Sequence, residues 1–118
     1  MEKKLYNVME SIVFTKLSTI INDINCCKCD ECILDLVALT LNNLPPKYVA
    51  SSKGEIMIKV LYQSQLDNTS IIKAIVHSSE LISKKPNHSI STPVTHISQQ
   101  HIKELYNTIF YSKTINVN

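Results

Sequence analysis

Cys26, Cys27, Cys29 and Cys32 are the only four cysteines of the chain and fall within the seven-residue run Cys-Cys-Lys-Cys-Asp-Glu-Cys. Thiolates are soft ligands that select zinc, and Cys29-x2-Cys32 is the spacing by which a single turn offers two sulfurs to a tetrahedral ion. A closed structural site takes four donors, so Cys26, Cys27, Cys29 and Cys32 are the candidate ligands for Zn2+. Adjacent residues tend to project apart. The fourth place is therefore open to Cys26, to a histidine from elsewhere such as His88 in the loop after Pro86-Asn87, or to a second subunit. Two other chemistries compete. Cys29 and Cys32 at a helix start would have lowered thiol pKa values suited to redox work, although no βαβ pattern surrounds them and Asp30 and Glu31 oppose thiolate formation. Inert thiols are the third reading. A local cluster carries more weight than an isolated C-x2-C, and zinc is the reading we adopt.

Other reactive side chains lack partners at useful spacing. His77 lies off the apolar stripe of its helix and should be solvated, while His96 and His101 flank the tail helix without ligand spacing. Asp35, inside an apolar run, suits a hydrogen-bonded polar residue or a cap partner better than a catalyst without a matched base. With Gly54 as the single glycine, no glycine-rich phosphate loop can form, and no serine sits in a nucleophile elbow. An enzyme is not expected. All 12 basic residues are lysine and the formal charge is +2. Lysine has no guanidinium fork for bidentate recognition, and the scattered lysines make no basic stripe, which argues against sequence-specific DNA readout.

The elements that must position the cysteines follow from periodicity. Leu5, Met9, Val13, Leu17, Ile20 and Ile24 recur at helical steps and predict a first amphipathic helix over 5–24. A second runs from Ile33 to Leu44, where Pro45 and Pro46 stop it. Its nearly all-round apolar surface suits a core centre or a subunit interface. Residues 47–50 read as extended. Ser52 and Glu55 fit a capping box opening a helix to Leu66, whereas the alternation Ile56, Ile58, Val60, Tyr62 suits a strand over 55–62; helix is the reading taken. Asp67 to Ser70 offer caps for a helix with Ile72, Ile75, Val76, Ser79 and Ile82 on one face. Residues 84–95 read as a linker, and Ile102, Leu105, Tyr106, Ile109 and Phe110 as a tail helix whose apolar face must dock on the body or a partner. The expectation is a mainly α fold: a small helical domain of four to five helices over 1–88 with a metal-binding cysteine loop between helices 1 and 2, then a linker and C-terminal amphipathic helix over 89–118. No stretch is long and apolar enough for a membrane span. The polar residues Asn7, Glu10 and Lys16 interrupt any signal-peptide core, so a cytoplasmic protein with reduced thiols is expected.

The series Asn7-Val8-Met9-Glu10, Cys27-x-Cys29-x2-Cys32 and Asp35-Leu36-Val37-Ala38-Leu39-Thr40-Leu41-Asn42-Asn43-Leu44-Pro45-Pro46-Lys47-Tyr48-Val49 resembles the late-competence ComFB family. The likeness continues through Gly54-Glu55, Lys73-Ala74-Ile75 and Pro86-Asn87-His88. Thr40 stands where alanine is more usual, and the segment from Ser89 is an addition. The resemblance implies a mostly helical, non-enzymatic protein that binds zinc through the cysteine loop and pairs as a homodimer, acting as a regulatory or adaptor protein in competence for DNA uptake. It also implies a possible protein partner in competence or signalling and, as an alternative function, a receptor for cyclic dinucleotides. Within the matched span, Lys47 and Tyr48 of the Leu44-Pro45-Pro46-Lys47-Tyr48 loop are the candidate ligand-binding residues, a cation and an aromatic ring suiting a phosphate and a base. The same loop also reads as an ordinary helix stop.

Overall fold

Asn7 sets where the fold begins. Its Oδ1 accepts from the Met9 amide at 3.1 Å and from the Lys47 amide at 2.7 Å, capping one helix and tying down the chain after Pro46. The computed structural model describes residues 5–63, 65–86 and 92–111. Two short strands, β1 (Tyr6–Asn7) and β2 (Tyr48–Val49), pair antiparallel with Tyr6 opposite Val49 and Asn7 opposite Tyr48. The helices are α1 (Val8–Ile20), α2 (Asp30–Asn42), α3 (Ser52–Leu61), α4 (Gln65–Lys84) and α5 (Gln99–Tyr111). A single 3-10 turn at Ile21–Asp23 follows α1. The expected mainly α class with its cysteine loop between the first two helices is what the chain adopts.

The first helix starts later than periodicity predicts, because the Asn7 cap and the β1–β2 pairing hold Tyr6 and Asn7 extended; Leu5 is left exposed. The second starts earlier, at Asp30, since the thiol of Cys29 acts as its N-cap. It closes through Asn43, whose side-chain amide donates to the Leu39 carbonyl at 3.0 Å, and the two prolines then forbid continuation. Residues 52–61 are helical, which decides between the two periodicities over 55–62. Ser51, not Ser52, is the cap: its hydroxyl accepts from the Gly54 amide. Glu55 is used elsewhere, accepting from the Tyr6 hydroxyl at 2.8 Å and pairing with Lys59 at 3.0 Å. Burial, followed by that carboxylate, pushes the Tyr6 hydroxyl up to about 12.

The core joins Met9, Val13, Phe14, Leu17 and Ile21 to Ile33, Leu36 and Val37 of α2 and to Ile71 and Ile75 of α4. On α4 the buried face is Ile71, Ile75, Ser78 and Ser79, one residue round from the expected stripe, and Val76 is exposed. Thr40 is fully buried but satisfied, its hydroxyl donating to the Leu36 carbonyl at 2.7 Å. The tail completes the core: Ile97 and Ile102 are buried in it, and Tyr106 meets Phe14 edge-on with ring centroids 5.4 Å apart. The expected docking of α5 is thus on the body, although Phe110, expected on that face, falls outside the described side chains. No described helix is long and apolar enough to cross a membrane.

Losing the Asn7 oxygen should be felt at both of its partners. Asn7→Ala should lower unfolding free energy by about 1–2 kcal/mol in urea titration, with Asn7→Asp, which retains the acceptor, losing much less. Equal stability of wild type and Asn7→Ala would remove Asn7 from this role.

Candidate metal centre

The sulfurs of Cys27, Cys29 and Cys32 all lie within 4.8 Å of one another. Around a tetrahedral zinc with Zn–S near 2.3 Å, sulfurs sit roughly 3.8 Å apart. Closing the trio on an ion therefore takes a contraction of about 1 Å or less, within the reach of side-chain rotation. Each sulfur is placed by a different backbone device. Cys29 ends the extended loop as N-cap of α2, its Sγ accepting from the Cys32 amide at 3.4 Å. Cys32 sits buried in the first helical turn. Cys27 stands on the loop, where its Sγ accepts from the Val94 amide at 3.3 Å, a donor 67 residues away.

The surroundings act differently on the sulfurs of this trio. The N-terminus of α2 points its partial positive charge at the sulfurs. Lys28, between Cys27 and Cys29, is buried, with its ammonium donating to the Ile24 carbonyl and its amide donating to the Val94 carbonyl at 2.7 Å. Desolvation pushes the Cys32 thiol up to about 12, assisted by Cys29 and Cys27. At Cys27 desolvation works in the same direction but is overcome by hydrogen bonds from the Val94 and Cys29 backbone and from the Cys29 and Cys32 side chains, so this thiol lies below its ordinary value. The two thiols are thus shifted in opposite directions, Cys27 towards easier and Cys32 towards harder loss of its proton. A soft divalent cation relieves that mismatch by taking the place of the protons, and the donor set fits zinc.

Cys26 does not join the trio. Its side chain packs against the core, and burial raises its thiol. His88 lies outside the described residues. His77 and His96 are exposed, as is His101, whose Nε2 lies 2.7 Å from Asp30 Oδ1. Asp35 is half-buried on α2. Lys47 is engaged through its backbone, its carbonyl accepting from Val8 at 2.8 Å, and Tyr48 stands 63% exposed on β2.

Sequence reasoning missed the tail's part in this site. Asn22 donates to the Ile97 carbonyl at 2.9 Å and accepts from the Ile97 amide at 3.0 Å, while Gln99 donates to the Ser18 carbonyl at 2.8 Å. Val94 acts through its peptide N–H, which carries no residue signature. Asn22 and His101 are common surface types, and nothing in their spacing marks them.

The sequence model of the late competence development protein ComFB family matches residues 6–86, a span holding the cysteine loop and α1–α4 and ending before the tail. The solved structure of the late competence protein ComFB from Bacillus subtilis matches with a TM-score of 0.69 and 26% identity, over 75% of this chain and 99% of that one. No protein of curated function matches.

The hydrogen bond and charge of Asp30 raise His101 above its ordinary 6.5. A raised imidazole stabilises the folded chain fully below that ordinary value, and the contribution is lost as pH rises through the folded one. In Asp30→Asn the His101 midpoint, followed by NMR, should fall back towards 6.5; an unmoved midpoint would show that the pair is absent in solution.

Proposed function

The chain belongs to the late competence development protein ComFB family, and from that premise we propose that it is a non-enzymatic, zinc-binding, homodimeric regulatory or adaptor protein of the late-competence, DNA-uptake type, working in the cytoplasm. The observation that carries the metal part is the convergence of Cys27, Cys29 and Cys32 within 4.8 Å at the start of a helix. The ion is structural: it crosslinks the loop after α1 to the first turn of α2. Cys26 and His88 are the candidates for the fourth position, and the packing of Cys26 against the core favours a donor other than Cys26. Residues 1–88 are the family unit, and 89–118 are a linker and helix added to it.

A surface for a second copy, or for a protein partner in competence or signalling, is offered by α3. Ile56, Met57, Val60 and Leu61 recur on one side of it and are each about 60% exposed. Four large apolar side chains so grouped are costly to leave in water. Val60→Glu should therefore yield a monomer by sedimentation at micromolar concentration where the wild type is a dimer.

Zinc loading should stabilise the fold, because ligands that bind only the native chain shift unfolding by mass action. Chelation of the purified protein should lower its melting temperature by several degrees or more. Cys27→Ser should melt low and ignore the chelator, while Cys26→Ser should behave as wild type. A wild-type melting curve that is indifferent to chelator would sink the zinc reading.

A second reading, reception of a cyclic dinucleotide, is favoured by two observations. Tyr48 presents an open ring beside Lys47, and a cleft of about 350 Å³ between α1, α3 and α4 is lined by Lys16, Lys59, Tyr62 and Gln63. Both pair cations with an aromatic face, as a phosphorylated base requires. Calorimetry with a panel of cyclic dinucleotides should give heat that is lost in Lys47→Ala/Tyr48→Ala or in Lys16→Ala/Tyr62→Ala; silence across the panel leaves the adaptor reading alone.

A further inference from the structure

The tail touches the metal loop at several independent points. Lys28 and Val94 form a two-bond bridge, the Lys28 amide donating to the Val94 carbonyl at 2.7 Å and the Val94 amide donating to Cys27 Sγ at 3.3 Å. Asn22, just upstream of the loop, clamps Ile97 through both its donor and its acceptor, at 2.9 and 3.0 Å. Asp30, the first residue of α2, meets His101 of α5 at 2.7 Å. Apolar anchoring reinforces these contacts, since Ile97 and Ile102 are buried in the common core. The matched family span ends at Pro86, so this strapping belongs to the part of the chain outside it.

We propose that segment 92–98 is a working part of the metal centre, with Val94 as its positioning residue, so that metal loading and docking of the tail helix are mutually dependent. The inference rests on the zinc reading given above. Its physical basis is geometric: the Lys28–Val94–Cys27 bridge and the Asn22–Ile97 clamp hold the loop with its three sulfurs already within 4.8 Å of one another. A loop held in that shape has less freedom to lose on closing round an ion than one released from the tail. An interaction that discriminates between two states shifts their populations, and linkage makes the effect reciprocal: a docked tail raises metal affinity, and the metal holds the tail. The bridge also fixes where Cys27 points, and partners that orient a ligand in this way typically change metal affinity by roughly 10–100-fold when removed.

The test uses the full chain with zinc alone as probe. Amide hydrogen exchange is followed by NMR with zinc present and after its removal by chelator. Val94 and Ile97 amides should exchange at least about tenfold faster without metal, while the Val8 amide, held by the Lys47 carbonyl, should change little. In parallel, zinc affinity is measured by competition with a chromogenic chelator. Asn22→Ala, which frees Ile97 without touching a sulfur, should bind zinc about tenfold more weakly. Lys103→Ala, at an exposed position of α5, should stay within about twofold of wild type. Cobalt in place of zinc supplies a signature that fold stability alone would not move: the sulfur-to-metal charge-transfer band should shift in Asn22→Ala and hold in Lys103→Ala. Tight zinc binding with metal-independent exchange at Val94 and Ile97, and unchanged affinity in Asn22→Ala, would overturn the proposal while leaving the zinc reading intact. A wild-type chain that binds no zinc would overturn both.

Discussion

Three sulfur donors packed within 4.8 Å of one another at a helix start are held there by backbone donors drawn from distant parts of the chain. The Cys32 amide of α2 donates to Cys29 Sγ, and the Val94 amide donates to Cys27 Sγ. That arrangement explains features that would otherwise be costly. A buried lysine is rare unless paired, and here its ammonium donates to the Ile24 carbonyl while its amide donates to the Val94 carbonyl beside the cysteine loop. The Val94 amide in turn spends its donor on a thiol. Without the sulfur cluster, that last choice has no obvious purpose.

Legibility from the sequence followed the physical origin of each feature. Helices α1, α2 and α4 announced themselves because their buried faces repeat at helical spacing, and the cysteine loop because all four thiols are local in sequence. Boundaries were less readable. The α1 start depends on Asn7 capturing an amide 40 residues away, and the α2 start on a cysteine acting as a cap, a role that serine or aspartate usually signals. The strand-like alternation of α3 competed with the helix reading that the structure bears out, and for a related reason. That helix buries none of its residues, so its apolar side chains are not arranged by one core face, and its capping and local hydrogen bonds set its conformation. The separation of Cys26 from Cys27, Cys29 and Cys32 required three dimensions, since neighbouring side chains projecting apart leaves open which one turns inward.

The tail is where this chain departs most from the family span. Its residues complete the core through Ile97 and Ile102 and also reach the cysteine loop. A segment outside residues 6–86 thereby occupies one side of the cysteine loop, while α3 leaves its apolar face open on the surface. The molecule thus has one sealed region and one uncovered region. Lysine as the sole cation type has a consequence of its own. It supplies charge at Lys16, Lys47 and Lys59 without the rigid fork that would fix a particular phosphate or base.

A shared ion held by Cys27, Cys29 and Cys32 is open to direct measurement. Native mass spectrometry of the full chain purified without added metal, read alongside elemental analysis, should find one zinc per chain in the wild type and none in Cys27→Ser. A metal-free wild-type chain that takes up no zinc on addition of the ion would contradict it.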